Sequence, residues 1–216
     1  MAITLATGTQ LSIASTYGNA VNMTAITNAT EAVATLAAGH GVVVGDFLEI
    51  TSGWDLLSGR IVRAKAVATN DVTLEGINTT STTNYPAGTG TGTIRRITAW
   101  TTISQVQSFD TAGGDLNFAD ITTVTDKTQK QIPTTRSAQT FSLTVFDDAS
   151  TAGQIAVQAA SDLSTPAAFR IVFANASRMV INGYWSIGAS PKVAVNAPLT
   201  NDIAFTAVAL STRYAT

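Results

Sequence analysis

The sequence predicts a mainly β protein: a β-sandwich or partly rolled barrel flanked by one α-helix, plus a small inserted β-barrel-like module. Three observations carry that prediction. Short apolar runs separated by Gly, Asn and Ser recur along the 216 residues. Phe141, Leu143 and Val145 alternate with Ser142 and Thr144, the period of a half-buried strand. One stretch alone, beginning at Ala152, changes to helical spacing, with Ile155, Ala156, Ala159 and Leu163 on one side.

Taken in order, residues 1–30 are rich in Thr, Asn and Ala and alternate weakly, which predicts an N-terminal arm with the first strand or two of the main domain. From 31 to 97, apolar runs are punctuated by Gly39, Gly41, Gly45, Ser52-Gly53, Ser58-Gly59 and Asn70-Asp71. That spacing predicts about five strands in a compact barrel or meander, an inserted module. Its turns and strand ends carry Asp46, Glu49, Asp55, Arg60, Arg63, Lys65 and Asp71, so it reads as a solvated unit. NTTSTTNYPAGTGTG, at 78–92, is a loop by composition.

Residues 98–216 form the main domain. A strand over 95–106 is followed by a poorly alternating segment at about 110–136, a strand over 139–146, and a helix over about 150–163 with Asp147, Asp148 or Ser150 as N-cap. Strands over 168–174, 178–187 and 202–211 complete it, with a turn at 175–177 and a break at Ser190-Pro191.

Composition narrows the function classes. Charged residues make up 12% of the chain, against about 25% in an ordinary soluble domain, so much of the surface is expected to be covered by other protein. Fourteen acidic residues face twelve basic ones, for a formal net charge of −2, which argues against a nucleic-acid binder relying on Lys and Arg to neutralise phosphates. The absence of Cys removes disulfide scaffolds, thiolate metal sites and Cys nucleophiles. The opening MAITLATGTQLSIAS has neither a basic n-region nor a sustained apolar core, and no later apolar run approaches the ~18 residues of a membrane span. A protein made and used in a cytoplasm, without membrane insertion, is the expectation.

Residues 137–146, 179–187 and 203–210 contain no Lys, Arg, Asp or Glu. Exposed sheet edges are ordinarily protected by charges or Pro, because a bare edge recruits another strand. The expectation is that these strands continue a sheet from one subunit to the next. In the 110–136 segment the charges segregate by sign: Asp110, Asp115, Asp120 and Asp126, then Lys127, Lys130 and Arg136. Such a segment could pair with a copy of itself.

QIPTTRSAQTFSLTVFDD, the Ala-rich helix after it, FRIVFANASRMVINGYWSIG, the break at Ser190-Pro191 and the closing NDIAFTAVALSTRY resemble the tail tube (major tail) proteins of lambda-type long-tailed bacteriophages. The module pattern GHGVVVGDFLEITSGW is similar to an insertion found in a subset of them, so the resemblance covers about four-fifths of the chain. It implies hexameric rings stacked into a tube that conducts DNA during ejection, with 110–136 as the loop reaching the neighbouring ring. It implies tape-measure, baseplate or tip, and tail-terminator partners, and a place in the virion tail after assembly in the host cytoplasm. DNA should pass without specific binding, through a neutral or acidic bore. The inter-ring loop candidates are Asp110, Asp115, Asp120, Asp126, Lys127, Lys130 and Arg136.

Chemistry has little to work with. His40 is the only histidine and lies between two glycines, as a structural turn histidine would. GTGTG at 88–92 superficially matches a phosphate-cradling loop, but no Lys-Ser/Thr follows, so it reads as linker. No enzyme, metal or cofactor is expected. Trp54, between Gly53 and Asp55, is the aromatic most expected to be exposed on the inserted module. It motivates the alternative reading, a host-surface or receptor-binding β adhesin.

Overall fold

The period-2 alternation that marks the strands also decides where each one is buried. A computed structural model describes residues 7–215. Its first two strands, β1 (Gln10–Tyr17) and β2 (Val21–Ile26), follow one another along a single later strand, so residues 10–26 are built into the sheets. Then come β3 (Val33–Leu36), β4 (Phe47–Ser52), β5 (Ile61–Ala68), β6 (Asp71–Leu74) and the 12-residue β7 (Gly92–Ile103). The pairing order β2-β3-β6-β5-β4-β7 is closed by β2 pairing β7, giving a six-stranded barrel with no free edge. Leu48, Ile50, Val62, Leu74 and Ile94 fill its interior.

The strand β7 belongs to two units. Gly92–Arg96 pairs with β4, while Ile97–Ile103 pairs with β1 and so begins a second sheet. That sheet takes in β8 (Val106–Ala112), β11 (Thr140–Phe146), β12 (Ala167–Val172), β13 (Arg178–Ile187) and β14 (Thr200–Ala207), in the order β7-β1-β12-β13-β14-β11-β8. A three-residue β15 (Thr212–Tyr214) pairs with the first half of β13. Between β8 and β11, β9 (Leu116–Asp120) and β10 (Gln131–Arg136) form a separate hairpin.

Strands β8 and β12 have three others between them, which in a flat sheet would set them about 19 Å apart. Yet the Phe109 ring of β8 lies 6.1 Å from that of Phe169 on β12, so the sheet is rolled. Phe141, Phe169, Phe205 and Trp185 meet in the fold of that roll, with centroids 4.8–5.8 Å apart and mostly edge to face. The one helix, α1 (Ala152–Leu163), adds Val157 and Ala160 to this core. Gly153 lets it approach β7 closely, since a Cβ there would stand 2.5 Å from the Thr102 carbonyl oxygen. Its N-cap is Thr151, without a side-chain cap bond. Asp148 serves the preceding turn instead, accepting from the Ser150 amide and hydroxyl. No helix of the described residues is long and apolar enough to cross a membrane.

The opposite face of β1, β12 and β13 packs on the barrel through Ala14, Ala168 and Val180 against Phe47 and Ile61, with Tyr214 of β15 in the same cluster. Polar groups pin the contact. Glu49 accepts from Asn182 Nδ2 at 3.0 Å and is paired with Arg95, whose guanidinium lies over the Tyr17 ring. The Tyr17 hydroxyl accepts from the Ala168 amide at 2.8 Å, and that of Tyr214 from the Arg63 amide at 2.7 Å. Burial pushes both phenols up from 10 to about 12, against the opposing pull of those amides.

Three sequence expectations change here. The uncharged strands over 137–146, 179–187 and 203–210 are not edges: β11, β13 and β14 each have strand partners on both sides within the chain. Among the described residues the two ends of the sheet are β8, which pairs only with β11, and the second half of β7, which pairs only with β1 and has α1 packed close to it. Trp54 is 1% exposed, not a surface aromatic. Its indole Nε1 donates to the Pro86 carbonyl at 2.8 Å, and its ring meets Tyr85 edge to face. The GTGTG stretch is likewise packed, not open linker, because a Cβ on Gly90 would stand 2.6 Å from the Trp54 ring.

Candidate assembly surface

The surface with most to offer is the outward face of four neighbouring strands, β8, β11, β14 and the second half of β13. Register aligns Asp110 with Ser142 and Ala204, Ser108 with Thr144 and Asp202, and Tyr184 with Thr206. These residues alternate with the buried Leu143, Ile203, Phe205 and Trp185, so the period that builds the core also builds this face. Across all four segments there is no Lys or Arg. Asp110 and Asp202 supply its acidic character; Thr144 donates to Asp202 at 3.3 Å, and Lys192 from the following loop pairs with Asp202 at the border. Tyr184, 47% exposed, is the aromatic that stands out on this face, and nothing in its sequence context distinguished it from Trp185 beside it.

Of the seven loop candidates, Asp110 lies on β8 within this face. The other six lie on the hairpin arm over 113–137, which prolongs the β8–β11 pair. Gly113 and Gly114 begin the arm with φ of +75° and +86°, and a reciprocal pair of backbone and hydroxyl contacts joins Asp115 to Ser137. Antiparallel pairing sets Asp120 opposite Gln131 and Leu116 opposite Arg136, so the acidic and basic blocks run beside each other within one chain.

Asp126 pairs with Lys130, which holds its carboxyl below the usual range, with help from the Thr123 amide and hydroxyl. Asp120 is lowered by the Thr122 hydroxyl first, then by the Thr122 amide and Gln129. Arg136 donates to the Gly114 carbonyl. Every residue of β10 is exposed, as are Leu116, Phe118 and Ile132.

A groove of about 740 Å³ runs beside the start of β8, between it and the ends of β1 and β7. No group of three or more His, Asp or Glu able to hold a metal is found among the described residues. His40 receives the Val42 amide on Nδ1 and meets the Thr69 carbonyl through Nε2, as a turn histidine does.

Residues 52–216 match a family model described as phage tail tube protein, TTP. The match begins at the last residue of β4, so it takes in β5 to β7 of the barrel together with every strand of the rolled sheet except β1. No curated protein matches the chain.

Proposed function

From the premise that the chain belongs to the phage tail tube protein family, we propose that it builds hexameric rings, stacked into a tube that conducts double-stranded DNA during ejection. It is a structural subunit of a virion tail. The observation that carries the finer reading is the face of β8, β11, β14 and the second half of β13, whose strand segments hold no Lys or Arg, ending at the β8 edge, which has no second strand partner among the described residues.

DNA presents one phosphate charge about every 1.7 Å of duplex, and each Lys or Arg on a wall would add a holding point. A bore lined by Ser, Thr, Ala and a few Asp lets the duplex slide. Asp110, Asp202 and Tyr184 would then face the lumen. The β8 edge would pair with a strand of the next subunit, carrying the inner sheet around the ring.

The module read at 31–97 lies within the barrel of β2 to the first half of β7, which is held against the sheet by the Glu49–Asn182 hydrogen bond and by Arg95 over the Tyr17 ring. The arm at about 110–136 reaches the neighbouring ring, and complementary charge from Lys127 and Arg136 against Asp115 and Asp110 sets its register. Tape-measure, tip or baseplate and tail-terminator proteins complete the tail, which is assembled in the host cytoplasm. The subunit uses no cofactor and catalyses no reaction. Negative-stain microscopy with native mass spectrometry tests this reading: six-membered rings and hollow tubes are expected, whereas a monomer at high concentration under all conditions would overturn it.

A further inference from the structure

The groove beside β8 and the hairpin arm lie at opposite ends of the same strand. Val106 to Phe109 line the groove, and the arm begins after Ala112, about 20 Å further along β8 at most. Apolar side chains line the groove at Leu11, Ile103, Val106, Phe109 and Phe173, and Arg213, stacked on the Phe173 ring at 4.8 Å, is the one charged group on its wall among the described residues. The free backbone edge of β8 runs along it.

The arm offers the complement. Leu116, Phe118 and Asp120 project to one side of β9, with Pro133 opposite Phe118, and the first two are 40% and 56% exposed. Acidic groups bracket this apolar pair, at Asp115 and Asp120. Among the described residues nothing covers the exposed side chains of the arm, and the groove is open.

Resting on the tube reading, we infer that the groove is the seat for the arm of a second copy. Phe118 and Leu116 enter the apolar lining, β9 lies along the β8 edge near its start, and Asp120 or Asp115 meets Arg213. A contact that joins one end of a subunit to the opposite end of the next is heterologous, and when the rotation between copies does not close it propagates along an axis. The same device thus fixes both the axial direction and the spacing of successive subunits. Lateral pairing within a ring would use the remaining length of β8, toward Ala112.

The natural absence of Cys makes the test clean. Phe118 and Gln107 are exposed, on the arm and on β8 beside the groove. The double variant F118C/Q107C, assembled and then oxidised, should give a ladder of covalent multimers on a denaturing gel, while either single variant gives none beyond a dimer. Phe118→Asp should keep the thermal transition of the parent chain, because the site is exposed, and should yield rings that do not stack.

Tubes of F118C/Q107C that remain monomeric on the gel, or tubes from Phe118→Asp as long as those of the parent, would overturn this inference while leaving the tube reading intact. Failure of the unmodified chain to form any ring or tube would remove both.

Discussion

The barrel and the rolled sheet share strand β7 and a common apolar contact, yet they treat their edges in opposite ways. The barrel closes on itself through the β2–β7 pairing, and its charges are spent on internal ion pairs: Arg63 with Glu75, Lys65 with Glu31, Arg96 with Asp46. The sheet stops at β8, leaving a strand edge, a cation-free face and an uncovered arm. A region that satisfies its own backbone groups is a finished unit. One that leaves a row of amides and carbonyls open is half of an interface. On the four strand segments of that face, Asp110 and Asp202 are the only charged residues.

The largest expected effect is on the two cores. Phe205→Ala in the sheet and Trp54→Ala in the barrel should each cost about 3–5 kcal/mol in chemical denaturation, and because β7 spans both units each variant should still unfold in one transition. Two separated transitions would show that the barrel and sheet are independent. Next is the contact between them. Glu49→Ala leaves the buried Asn182 amide without its acceptor and should cost about 1–3 kcal/mol. An unchanged denaturation midpoint would mean that water replaces the carboxylate without loss.

Raising the pH probes the same contact. The phenols of Tyr17 and Tyr214 titrate in the folded chain near 12, above the ordinary 10, so the folded state holds these protons longer than the unfolded one. Their contribution is complete below about pH 10 and is lost as the pH climbs toward 12, by about 1–2 kcal/mol for each tyrosine after allowance for partial exposure. Denaturation midpoints followed across that window should fall, and Tyr214→Phe should fall less steeply. A flat profile would contradict the burial of these hydroxyls.

The smallest effect belongs to the arm. Reversing both Lys127 and Lys130 to Glu should leave the stability of the single subunit within about 0.5 kcal/mol, since both are exposed. It should weaken polymerisation by about 0–1 kcal/mol for each pair lost, read as a rise in the concentration needed for tubes. An unaltered threshold would remove charge from the account of ring stacking.

Periodicity made some of this legible and hid the rest. Phe141, Leu143 and Val145 showed which side of a strand faces the core, and the shift to helical spacing at Ala152 located the helix to within two residues of its start. A period of 2 says nothing about lateral neighbours, which depend on partners far away in sequence. Hence the charge-free stretches 137–146, 179–187 and 203–210 read as edges although β11, β13 and β14 lie inside the sheet.

The hairpin of β9 and β10 was invisible for a related reason: with both faces in solvent, no alternation is imposed on its residues. Trp54 misled because a turn aromatic can fold back over its own barrel; the signal was Gly90, whose missing side chain makes room for the indole. Arg213 and Tyr184 carried no pattern at all, and only the register of β13 with β14 and β15 gives them a place on a surface.

Residue-resolved amide hydrogen exchange on β8 tests the central claim most directly, because that strand is paired on one side only. In the unassembled subunit, those amides of Val106–Ala112 that point away from β11 should exchange rapidly, and in assembled tubes the same amides should become strongly protected. Equal, fast exchange in both states, or protection already complete in the lone subunit, would contradict the account.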